Sequence, residues 1–280
     1  MSDLEEALQA ALEAKLARDG GSPVNLAESI RYSLLAPGKR VRPRLTLACA
    51  EMVGLSSKAA MPAALALEMI HCFTLIHDDL PSMDDDDFRR GRPSNHRVHG
   101  EGLALLAGDA LVALATEVLA DSASEVPPEN FLRALQRFCW AIGPRGVIGG
   151  QAAEMLLHSD STLHDLKRMH EGKTGALFTA ALLIPADLAG ISETSEKGRA
   201  IRDFAFELGF AFQVADDLAD AEQDQGRPMT ILSYLPEEKA RELADSALEH
   251  VCRGLENNWG KDVARPLVDI ASQVRNSLGT

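Results

Sequence analysis

Leu75-Ile76-His77-Asp78-Asp79-Leu80-Pro81-Ser82-Met83-Asp84-Asp85-Asp86-Asp87 closes one long apolar stretch, and Phe212-Gln213-Val214-Ala215-Asp216-Asp217-Leu218-Ala219-Asp220 closes another. Each acidic group therefore grows from the end of an otherwise buried helix. Like charges about 4 Å apart repel by roughly 1 kcal/mol in water and roughly 4 kcal/mol near a protein surface. If the two groups meet in a cleft, something must neutralise them. Carboxylates without partnering Cys or a tight His set favour hard cations, Mg²⁺ above all, usually shared with substrate phosphates. An acidic run alone also fits a solvated loop. The second group sits inside an apolar pattern, which suits a loop less well.

Outward from these segments, apolar residues recur at helical spacing and no stretch shows a convincing strand alternation. Leu4, Leu8, Leu12 and Leu16 form one stripe. Asn25, with Glu28 three residues on, predicts a capping box opening a helix that runs to Pro37-Gly38. A helix over 43–53 ends at Gly54, a C′ glycine. Pro62 suits the first turn of the helix that carries Leu65, Met69 and Ile76 before Pro81 interrupts it. Further helices are predicted over about 103–120, 128–142, 162–190, 197–222, 236–257 and 261–278, with Pro128, Thr162–Asp165 and Pro236 marking three starts. Stretches 64–77 and 204–218 have little polar face, as central helices should. With no linker, composition break or fixed-period repeat, the whole chain 1–280 reads as one all-α domain of roughly ten mostly antiparallel helices.

Of the 280 residues 46% are apolar and only 5% aromatic, so the core is built from Ala and Leu. The net charge of −14 argues against affinity for nucleic acid or an anionic membrane. Cys49, Cys72, Cys139 and Cys252 show no metal-type spacing and read as thiols in a reducing compartment. The acidic start Met1-Ser2-Asp3-Leu4-Glu5-Glu6 has no signal-peptide pattern. The apolar run from Ala176 to Leu188 is too short to span a bilayer. These features lead us to expect a cytoplasmic protein without stable membrane association.

Asp216 and Asp220 share one helix face with Gln213 a turn before, and Asp217 lies beside it. Asp78 and Asp79 sit near a helix C-terminus, where the dipole disfavours negative charge. Carboxylates placed against local stability are more typical of sites than of scaffolding. Phosphate also needs cations, and Gly38-Lys39-Arg40-Val41-Arg42-Pro43 offers three in a turn that opens a helix. A solvated basic turn explains that segment as well. Arg89-Arg90 fits a phosphate contact or a surface ion-pair patch. Lys173, between Gly172 and Gly175, suggests a loosened helix with its ammonium turned to a cavity. Gly149-Gly150-Gln151 reads first as close helix packing. His71, two turns before Asp78, could hydrogen-bond a diphosphate or be a satisfied core residue.

Taken in order and spacing, these motifs resemble the trans-isoprenyl diphosphate synthases, and among them the bacterial farnesyl diphosphate synthases. The likeness runs from about residue 25 to 235. It rests on Gly38-to-Pro43, the approach from His71 to Asp79, Asp78-Asp79-x-x-x-x-Asp84 with Arg89-Arg90, Ala107-Gly108-Asp109-Ala110-Leu111, Gly149-Gly150-Gln151, Lys173-to-Leu177 and Phe212-Gln213 with Asp216-Asp217-x-x-Asp220. The resemblance implies antiparallel helices around a deep cavity, the isoprenoid synthase fold, and a homodimer. It implies Asp78, Asp84 and Asp216 as leading Mg²⁺ ligands, with Asp79, Asp217 and Asp220 as further ligands or support, and three Mg²⁺ ions once the substrate diphosphate is bound. Lys39, Arg42, His71 and Arg90 would hold isopentenyl diphosphate. Arg89, Lys173, Thr174 and Gln213 would contact the allylic diphosphate and its leaving oxygens. Where many relatives carry Gly-Lys, this chain has Gly226-Arg227-Pro228, and Arg227 would keep that phosphate contact.

Phe73 lies five residues before Asp78, roughly 7.5 Å back along the helix. In the family an aromatic there accompanies a fifteen-carbon product, so Phe73, with Thr74 beside it, is the expected floor under the growing chain. The implied reaction joins isopentenyl diphosphate to dimethylallyl or geranyl diphosphate, giving farnesyl diphosphate. Alternatives are a geranyl or geranylgeranyl diphosphate synthase, a class I terpene cyclase, or a non-catalytic prenyl synthase subunit. A cyclase has no use for Lys39, Arg42 and Arg90, and a non-catalytic subunit tends to lose one of the acidic motifs.

Overall fold

The structure is a computed structural model that describes residues 3–18, 23–220 and 230–279. Its elements are almost all helical. They are α1 (Asp3–Arg18), α2 (Val24–Leu34), α3 (Val41–Val53), α4 (Ser57–Asp78), a hairpin of β1 (Phe88–Arg89) and β2 (Arg92–Pro93), α5 (Asn95–His99), α6 (Glu101–Ala120), α7 (Pro128–Ile142), α8 (Val147–Glu154), α9 (Leu163–His170), α10 (Ala176–Leu188), α11 (Glu196–Asp220), α12 (Glu237–Trp259) and α13 (Lys261–Ser277). The expected all-α class is therefore correct. The described residues group into two compact units, one of residues 1–44 and 58–125 and one of residues 45–57 and 126–280.

In the first unit α4 is the core element. Ala59, Ala60, Ala63, Ala64, Leu65, Ala66, Leu67, Met69 and Ile70 are buried around most of its circumference. The helix starts five residues earlier than Pro62 predicted. Proline's missing N–H leaves only the carbonyl four residues back, at exposed Lys58 in the first turn, where water can satisfy it. Helix α2 also starts early, at Val24. Pro23 precedes it and accepts from Leu26 N at 3.0 Å, and no side chain caps it, so the Asn25–Glu28 box does not form. The hairpin turns through Arg90 and Gly91, at φ +53° and +72°. Two successive left-handed residues are the type I′ pattern that suits strand twist. Tyr32 of α2 holds it, donating to Pro93 O at 2.7 Å beneath the Arg92 guanidinium.

The second unit is built on α10, every residue of which is buried except Thr179. It packs against α7 and α11, while α11 packs on α12 and α13. Pro128 opens α7, and Thr162 and Asp165 close a reciprocal capping box at α9. The predicted helix over 162–190 is interrupted by a π-helical turn at Glu171–Gly175. Helix α8, hidden in the sequence by its two glycines, was not anticipated.

Among the described residues two helices, α4 and the stretch from α6 to Ser124, are long and apolar enough to cross a bilayer by length and composition. Helix α4 is a core helix, 78% buried over its apolar window, against 39% for α6.

Candidate active site

In the first unit, α4 ends at Asp78 and the chain folds back on itself. Leu80 N donates to His77 O, Met83 N to Leu80 O, and Asp84 N to Asp78 O at 2.9 Å. That last bond sets the backbones of Asp78 and Asp84 side by side, although they are six positions apart. Asp85 takes φ +53°, a strained value for a residue with a side chain. Asp78 and Asp79 are buried, while Asp84 is exposed. Asp79 Oδ1 accepts from Arg89 Nε at 2.8 Å and Nη2 at 2.5 Å, and Arg89 Nη2 also reaches Asp86 Oδ2 at 2.9 Å. Burial pushes the Asp79 carboxyl up, and the Arg89 contact offsets only part of that.

The basic turn divides its cations. Arg40, at φ +47°, points inward, where Glu68 takes its Nη1 and the carbonyls of Leu34 and Ala36 take its Nη2 at 3.1 and 2.8 Å. Only Lys39 and Arg42 therefore remain as candidates for an anion, with Lys39 exposed and Arg42 partly so. Arg90, at the hairpin tip, donates to Pro37 O at 3.1 Å, which draws the hairpin to the same turn. His71 is held well below its ordinary value by burial first, then by the fields of Arg42, Arg90, Arg40 and Arg89. Arg42, Arg90 and His71 are thus brought together, and the imidazole there is a neutral hydrogen-bonding group. Arg40, Glu68, His71, Asp79, Arg89 and Arg90 surround a small cavity of about 40 Å³. Phe73 is buried one turn before His77, and Thr74 donates back to His71 O at 2.9 Å.

In the second unit, the π-turn presents Lys173 and Thr174. A Cβ at Gly150 would stand 2.0 Å from Lys173 N, so the glycine lets α8 lie directly on this turn. π-turns recur at functional sites. Lys173 Nζ pairs with Glu154 Oε2 of α8. Thr174 Oγ1 donates to Gln213 Oε1 at 3.0 Å, Gln213 Nε2 to Asp217 Oδ1 at 2.8 Å, and Ile231 N to Asp217 Oδ2 at 2.8 Å. Thr174, Gln213 and Asp217 are therefore one chain of hydrogen bonds. Asp217 is buried and Asp216 exposed on the neighbouring face. Asp220 ends α11, and Arg227 lies outside the described residues. His170, just before the π-turn, is lowered to about 4 by burial, against the pull of Glu154. A cavity of about 970 Å³ in this unit is lined by Gly149, Gly150, Gly172, Gly175, Thr179 and Phe210 among others.

Among the described residues no three His, Cys, Asp or Glu side chains form a ready metal cage. An all-carboxylate set of this kind nevertheless fits Mg²⁺, which takes one or two carboxylates plus phosphate oxygens and water. Sequence reasoning missed Glu68, Glu154 and His170. The first two pair with cations 28 and 19 residues away, a distance at which no local pattern reports a contact.

Comparison with known proteins agrees with this geometry. The polyprenyl synthetase family profile matches residues 23–229. A geranylgeranyl diphosphate synthase of Cyanophora paradoxa is 46% identical over 202 residues, 71% of this chain and 67% of that one. A farnesyl diphosphate synthase of Geobacillus stearothermophilus is 40% identical over 82% of this chain and 78% of its own. A solved geranyltransferase of Legionella pneumophila superposes with a TM-score of 0.88 at 30% identity, covering 99% of this chain and 96% of that one. An isoprenoid synthase fold with these acidic segments defines a trans-prenyltransferase. The chain belongs to the polyprenyl synthetase family, the trans-isoprenyl diphosphate synthases.

Proposed function

We propose that this enzyme condenses isopentenyl diphosphate with dimethylallyl and geranyl diphosphates and stops at farnesyl diphosphate. The observation that carries the product length is Phe73, buried on α4 five residues before Asp78. An aromatic ring there would form a floor that blocks a fourth isoprene unit. A geranylgeranyl product is the second reading, favoured by the names of several relatives, the Cyanophora protein among them.

Mg²⁺ would be held by Asp78, Asp84 and Asp216, with Asp79, Asp217 and Asp220 supporting, and supplies charge that stabilises a leaving diphosphate. The protein's own groups do the rest. Lys39, Arg42, Arg90 and neutral His71 bind and orient isopentenyl diphosphate by charge-assisted hydrogen bonds. Lys173 and Arg89 would neutralise charge on the leaving diphosphate as the allylic C–O bond breaks. Thr174 and Gln213 would contact the allylic diphosphate or its leaving oxygens, and a dry apolar cavity would keep water from the cation. The double bond of isopentenyl diphosphate then attacks, and a proton leaves to the released diphosphate. Helix α6 exposes Leu105 and Leu106 at 46% and 53%, a surface we assign to a homodimer contact.

The test uses purified protein, Mg²⁺ and isopentenyl diphosphate with dimethylallyl, geranyl or farnesyl diphosphate in separate reactions. After the products are dephosphorylated, farnesol from the first two, with farnesyl diphosphate left unextended, is the expected result. Geranylgeraniol as the main alcohol would move the assignment to the second reading.

A further inference from the structure

Phe73 is not held by its own helix alone. His77, one turn later on the same face, sets its imidazole edge-on to the Phe73 ring, with centroids 4.8 Å apart and planes at 76°. The imidazole is itself fixed from α6. Its Nε2 lies 3.0 Å from Leu105 O, and since a carbonyl only accepts, Nε2 carries the proton and donates. Asp109 Oδ1, a turn further along α6, stands 4.0 Å from the same nitrogen. Between them is Gly108, where a Cβ would come within 2.1 Å of Nε2 and 2.3 Å of Cδ2. The imidazole fills the space that any side chain at 108 would need. This contact gives the Ala107-Gly108-Asp109 segment a specific purpose.

We propose that His77 and Gly108 are positioning residues for product length, acting by locking the Phe73 ring. The inference rests on the reading of Phe73 as the floor. A chain end pressing on a phenyl ring meets a sharp stop only if the ring cannot rotate aside about χ1. The edge-to-face contact resists rotation of the ring, and the Leu105 bond keeps the imidazole from following it. Without the imidazole the ring remains but yields. The result is a mixed product, whereas removing the ring moves the stop itself.

The experiment compares wild type, Phe73→Ala, His77→Ala, His77→Gln and Gly108→Ala in the full chain, with Mg²⁺, isopentenyl diphosphate and geranyl diphosphate. Far-UV circular dichroism confirms that each is folded, and the ratio of the next-longer product to the main one is read. Phe73→Ala is expected to raise that ratio most. His77→Ala and Gly108→Ala should raise it about tenfold, which corresponds to about 1.4 kcal/mol. His77→Gln, which keeps an N–H within reach of Leu105 O, should fall between wild type and His77→Ala. A general loosening of the fold would not produce that partial rescue. If Phe73→Ala lengthens the product while His77→Ala and Gly108→Ala keep the wild-type ratio, the pair is overturned and the floor stands. If Phe73→Ala changes nothing, the floor reading falls and takes the pair with it. Should His77→Ala not fold, His77→Gln and Gly108→Ala decide the question by the same ratio.

Discussion

The two acidic segments use the same pair of letters in different ways. In both, the second Asp is buried and engaged by the protein, yet the partners differ in kind. Asp79 meets a cation, Arg89, which also holds Asp86. Asp217 meets two neutral donors, Gln213 Nε2 and Ile231 N, and through Gln213 it is tied to Thr174. The first segment is thus neutralised by charge and the second ordered by hydrogen bonds. Under the proposed function a charge pair would be exchanged when a diphosphate arrives, with Arg89 turning from one anion to another. A hydrogen-bond chain is more valuable left intact, since it sets the direction of the Thr174 and Gln213 oxygens. The same residue type serves as a counter-ion in one place and as an anchor in the other.

The widest test of this contrast removes the first Asp of each pair. Asp78→Ala and Asp216→Ala are each expected to lower kcat by about a hundred- to a thousand-fold, the scale seen when one group stabilising a transition-state charge is lost. Neither should unfold the protein. Asp216 is exposed, and Asp78 sits at the C-terminus of α4, where a negative charge is unfavourable. Initial rates with urea midpoints check both, and activity retained in both variants removes the metal role. A sharper test replaces the second Asp. In Asp217→Asn one of the two donors faces an amide N–H instead of an oxygen, at a cost of about 2 kcal/mol. In Asp79→Asn the loss should stay below about 1 kcal/mol, because burial already raises the Asp79 carboxyl and so works against its charged form. Equal losses in urea denaturation would erase the distinction between counter-ion and anchor.

Much of this is legible in the sequence alone, for physical reasons that differ along the chain. Pro128, the Thr162–Asp165 box and Gly54 at φ +75° act within one turn of their helices, so their spacing reports them. The two glycines around Lys173 pointed to a loosened helix, and a π-turn is found there. The inward turn of Arg40 was hidden, because Glu68 lies 28 residues on and on another helix. Pro62 misled for a related reason. A favourable first-turn residue was outweighed by the burial of Ala59 and Ala60 upstream, which extends α4 backwards. Asp217 looked like Asp79 because Ile231 N, its second donor, leaves no mark in the local pattern.

The effect confined to the narrowest conditions, mildly acid pH, concerns the imidazoles that stand behind the two regions. His71 and His170 are both lowered by burial. His71 is lowered further by surrounding guanidinium groups, while a carboxylate, Glu154, works against the shift of His170. The unfolded His170 takes up its proton near the ordinary value of 6.5, and the folded one only near 4. Between those values the unfolded state binds more protons, so stability falls as the pH falls, by up to about 1.4 kcal/mol per pH unit for this group. Above about 6.5 neither state is protonated, and the contribution is complete and constant. Urea midpoints of wild type and His170→Gln, taken from pH 7 to pH 4, should therefore diverge in slope only within that window, with the variant the flatter. Parallel curves would mean that His170 is solvated in the folded protein. If His71→Gln also flattens the curve, acid weakens both regions through desolvated imidazoles. The contrast between them would then belong to the aspartates alone.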